Sequence, residues 1–127
     1  TDHGLLAISA GVDNKKISIV IKAILGELNK IKNISVPKAE LDKSKNHISG
    51  SMMIGLETSD SLAEFYGEQE LFKEKIHNPE QIIKKIKAVT ARDIKTLAKD
   101  ILQNNKLNLA IIGPFQNTSE FEKELSL

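Results

Sequence analysis

Residues 35–67 read SVPKAELDKSKNHISGSMMIGLETSDSLAEFYG and place two linked helices in the middle of the chain. Leu41, Ile48, Met52 and Leu56 recur at helical spacing, which gives a long helix one apolar face. Pro37 suits its first turn, with Ser35 or Val36 at the cap position. Thr58-Ser59-Asp60-Ser61 gathers side chains that compete for backbone hydrogen bonds, so the helix is expected to break and restart there. Ser61 followed by Glu64 fits a capping box for the second segment.

Toward the N-terminus, Ile17, Val20, Ile21, Ile24, Leu28 and Ile31 follow the spacing of an amphipathic helix that runs to about Lys32, with Asp13 or Asn14 as its cap. Gly26 lies inside it, at a cost of about 1 kcal/mol relative to Ala unless close packing needs it. Before it, Leu5 to Ala10 form a short apolar run between Gly4 and Gly11, of strand length. Toward the C-terminus, His77-Asn78-Pro79-Glu80 is a helix start: Asn78 caps, Pro79 takes the first position and Glu80 suits the dipole. Ile82, Ile83, Ile86 and Val89 are its apolar face. Thr90 caps a further helix lined by Ile94, Leu97, Ala98, Ile101 and Leu102 and ended by Asn104-Asn105. Leu107, Leu109, Ile111 and Ile112 make a second strand candidate, stopped by Gly113-Pro114. A charged tail, residues 115–127, carries Phe121 and Leu125 as packing residues.

Strand, helices, strand gives an expected α+β fold: helices packed on one face of a small, mainly antiparallel sheet. Two strands are thin, because isolated strand pairs are marginal, so the sheet is expected to continue in chain beyond this sequence. Thr1-Asp2-His3-Gly4 carries no initiator Met, which fits a processed or excised chain.

Bulk composition narrows the function. The 127 residues include 40% hydrophobic side chains, enough for a core, and only 4% aromatic, so the core is aliphatic. Eighteen basic against 17 acidic side chains leave no basic excess to hold phosphates, which argues against nucleic acid as a partner. No apolar run reaches membrane-spanning length, so no membrane partner is expected. With no cysteine, disulfides and thiolate metal sites are excluded, while the compartment, cytoplasmic or periplasmic, stays open.

Candidate chemistry fails on spacing. The histidines are His3, His47 and His77, and none stands in a zinc-binding pattern; the helical neighbours of His47 are Lys43 and Ser51. Glu57, Asp60 and Glu64 can share a face, but they fall at a helix start, where acids stabilise the dipole. Gly50-Ser-Met-Met-Ile-Gly55 has the glycine spacing of a phosphate loop without the Lys and Ser/Thr that should follow. Ser49, Gly50, Ser51 and Gly55 instead suggest close approach of another element. No serine stands in a nucleophile elbow. No catalytic, cofactor-binding or metal-binding residue is assigned.

The order of features resembles the C-terminal, non-catalytic domain of the pitrilysin/insulinase-type zinc peptidases, the inverzincin family that includes mitochondrial processing peptidase. The resemblance rests on Gly4-Leu-Leu-Ala-Ile-Ser-Ala-Gly11 with the helix ending in Glu27-Leu28, on residues 36–45, Gly50 and Leu56-Glu57-Thr58-Ser59-Asp60, on Ile86-Lys-Ala-Val-Thr-Ala-Arg-Asp-Ile94, and on Leu107-Asn-Leu-Ala-Ile-Ile-Gly-Pro114. It implies that residues 1–114 are part of a ferredoxin-like metallopeptidase domain. It implies a parent with two halves around a chamber, whose zinc motif His-x-x-Glu-His and substrate-facing Arg and Tyr lie outside this chain. The implied role is architectural, with the parent's other domains as partners, peptide as substrate of the intact enzyme and zinc held in another domain. Exposed edges at Leu5–Ala10 or Leu107–Ile112 then invite self-association.

Overall fold

The computed structural model describes residues 4–72, 75–117 and 119–127 and contains no strand among them. The expected α+β sheet is therefore corrected to an all-helical arrangement. The helices are α1 (Ile17–Asn33), α2 (Lys38–Gly55), α3 (Ser59–Phe72), α4 (Pro79–Ala88), α5 (Ala91–Ile101) and the short α6 (Ser119–Glu124). Both strand candidates are irregular. Hydrophobicity alone does not make a strand; a strand exists through the ladder it shares with a neighbour. Leu5 to Ala10 and Leu107 to Ile112 find no such neighbour among the described residues. Their side chains report the same thing: Leu5 is 90% exposed and Ile112 fully so.

The chain forms two compact units. In the unit spanning Pro37–Ala91, α2 packs on α4. Leu41, Met52, Leu56, Leu62, Phe65, Ile82, Ile83 and Ile86 are half-buried, whereas Ile48 is exposed. The two residues most withdrawn from water in this unit are polar, Ser49 and Gln69. Pro37 is the cap residue of α2 rather than its first helical residue. Helix α3 is capped by Thr58, not by the expected Ser61: the Thr58 hydroxyl accepts from the Ser61 amide at 3.2 Å and hydrogen-bonds the Ser61 hydroxyl at 2.8 Å. Helix α4 starts as expected, and Gln81 completes a capping box with Asn78. At the other end of α4, the Lys45 ammonium donates to the Lys87 carbonyl at 2.8 Å, which suits a cation at a helix C-terminus.

The other unit joins residues 5–36 to 92–127. Asp13 caps a 3-10 turn, Asn14–Lys16, that leads into α1. Ile21 and Leu25 of α1 and Phe121 of α6 form a buried cluster, flanked by Ile17, Leu107, Ile111, Phe115, Leu125 and Leu127. Leu25 completes the i, i+4 stripe begun at Ile21, while Ile31 at the far end of α1 is 40% exposed. Phe115 meets Phe121 edge to face at 5.1 Å. A Cβ at Gly113 would lie 2.4 Å from the Phe115 ring, so any larger residue there would have to displace that ring. Lys22 pairs with Glu124 at 3.1 Å, tying α1 to α6. Ala98 and Leu102 are buried on and just after α5, and Lys95 donates to the carbonyl of Asn33 at 2.7 Å.

The glycines of α2 do not serve close approach as expected. Gly50 and Gly55 face open space, and the buried small residue is Ser49.

Candidate functional site

His77 sits just before the cap of α4 and is held by a single buried side chain. Gln69 is 1% exposed on α3. Its amide oxygen accepts the His77 backbone N–H at 2.9 Å, and its amide nitrogen donates to the His77 carbonyl at 3.0 Å. The same nitrogen lies 3.3 Å from the Phe65 carbonyl. The side-chain amide thus pairs with a backbone peptide as a neighbouring strand would, and fixes the approach to α4. The His77 ring is also engaged: Lys85 Nζ lies 2.8 Å from Nε2, and an ammonium can only donate, so Nε2 accepts.

His47 is exposed on α2, and His3 lies outside the described residues. Among the described residues no group of three His, Cys, Asp or Glu side chains could hold a metal ion. Zinc demands three or four such donors converging at about 2 Å, and this donor set does not fit it. Glu57, Asp60 and Glu64 are all exposed, with Asp60 in the first turn of α3, where its charge suits the helix dipole. General acid–base chemistry needs carboxyls in contrasting, sheltered surroundings, and these three share an open one.

Lys38 and Asp42 form an exposed pair with shifted acidity. Asp42 accepts a hydrogen bond from Lys38 at 2.7 Å. That bond holds the Asp42 carboxyl below its ordinary range and the Lys38 ammonium above its own. The two residues are four apart on one turn of α2, so the pair is a helix-surface contact.

A groove of about 380 Å³ lies in the unit of residues 5–36 and 92–127. Leu107, Leu109, Ile111, Phe115, Phe121 and Leu125 supply its apolar surface, and Asn108, Asn117 and Glu122 its polar edge. Such a groove can take apolar side chains, but it brings together no nucleophile, base and orienting group.

Neither Gln69 nor the groove stands out in the sequence pattern. A single Gln on a helix carries no periodic signal, although its place on the same face as Leu62 and Phe65, seven and four residues earlier, marks it as inward-facing. The groove arises where an expected strand is left without a neighbour.

No family model matches the chain. It is similar to an uncharacterized zinc protease of Streptomyces coelicolor, 26% identical over 91% of this chain and 25% of that protein. The beta subunit of the mitochondrial-processing peptidase of Saccharomyces cerevisiae is 25% identical over 98% of this chain and 28% of that protein. The uncharacterized zinc protease YmxG of Bacillus subtilis is 28% identical over 91% of this chain and 28% of that protein. The chain therefore spans about a quarter of the length of the curated relatives it matches.

Proposed function

From a chain whose relatives are zinc proteases and mitochondrial-processing peptidase subunits, of the pitrilysin/insulinase type, we propose a non-catalytic, C-terminal domain portion of a zinc metallopeptidase. Its role is architectural: it forms part of the wall that confines a peptide substrate. The parent's zinc and its catalytic carboxylate belong to another domain. The observation that carries this reading is the coverage, nearly all of this chain against a quarter of each relative. The thin core supports it. Five hydrophobic residues are buried among those described, while Leu5, Leu6, Ile8, Leu71, Phe72, Leu109 and Ile112 are exposed. Side chains of this kind are stabilised when further chain covers them, at about 25 cal/mol per Å² of apolar surface removed from water.

The partners that follow are the remaining domains of a longer parent and, in the intact enzyme, a peptide. In isolation the chain is expected to self-associate through the apolar stretches at 5–10 and 107–112. A second reading, a subunit with an interaction role in a larger assembly, draws on the relatives that are processing-peptidase subunits, the yeast beta subunit and the alpha-2 subunit of Dictyostelium discoideum.

Metal analysis of the purified chain after dialysis against zinc, together with a peptide-cleavage assay, tests the proposal. No stoichiometric zinc and no cleavage are expected. One tightly held zinc per chain, or turnover by this chain alone, overturns it. Light scattering over a range of concentrations should show association; a rigid monomer throughout would count against the exposed stretches as contact surfaces.

A further inference from the structure

We draw no further inference here: the strongest candidate, the apolar groove between the stretch at 107–111 and the short helix α6, is an unpartnered apolar face, and nothing in the structure shows what covers it.

Discussion

Replacing Gln69 by Leu keeps the side chain's approximate size and deletes its amide. The structure gives the loss directly. Two hydrogen bonds to the His77 peptide, at 2.9 and 3.0 Å, disappear, along with a longer contact to the Phe65 carbonyl. Each of the two good bonds contributes about 0.5–1.5 kcal/mol net, so the expected destabilisation is about 1–3 kcal/mol. The added apolar surface of Leu offsets part of this, and a value of about 2 kcal/mol is expected. For a chain of this size that corresponds to a fall in Tm of roughly 6–10 °C. Thermal melts followed by circular dichroism read the global effect, and hydrogen exchange of the His77 amide reads the local one. Gln69→Glu separates the bonds: it keeps the acceptor for the His77 N–H but sets an oxygen against the His77 carbonyl. A buried carboxyl is easier to keep protonated, so its folded pKa is raised. The Gln69→Glu penalty should accordingly shrink as pH falls through the carboxylate range, while the Gln69→Leu penalty stays level. An unchanged Tm and unchanged His77 protection in Gln69→Leu would refute the clamp.

Gly26→Ala should stabilise by about 0.5–1 kcal/mol, because open space surrounds the position and helical Gly is entropically costly; a loss in a denaturant melt would show a packing role that the structure lacks. Thr58→Ala should cost about 1 kcal/mol through loss of the α3 cap, and Ser61→Ala clearly less; the reverse order in parallel melts would restore Ser61 as the cap. The Lys38–Asp42 pair should matter little: Asp42's contribution is present above the ordinary Asp pKa and fades as pH falls through its lowered folded value, and Lys38's is present below the ordinary Lys pKa and fades as pH rises through its raised one. Asp42→Asn should therefore leave Tm almost unchanged at neutral pH and unchanged in high salt, and a large, salt-resistant drop would contradict that.

Helices were legible in the sequence because their signals are local. Asp13, Asn78 and Pro79 mark starts by chemistry that needs no tertiary partner, and Ile21 and Phe121 fall where an apolar face or tail predicts. Ser61 with Glu64 has the spacing of a capping box, yet it is the Thr58 oxygen that accepts the Ser61 amide, a choice the spacing does not reveal. The expected sheet is absent among the described residues for the opposite reason. Leu5–Ala10 and Leu107–Ile112 have the composition of strands, but strand structure is a property of pairs, and a short apolar run does not reveal whether its partner is present. The candidate site followed suit. Spacing could not show that His77 is held through its backbone by Gln69, a contact made across a connection rather than along a helix.

The proposed function makes this chain one portion of a longer peptidase-type polypeptide. An immunoblot of cells that express it, with an antibody raised against residues 35–67, measures the native length directly. A polypeptide several times longer than 127 residues is expected, in keeping with the quarter-length coverage of its relatives. A native product of about this chain's own length, monomeric and stably folded, would contradict it.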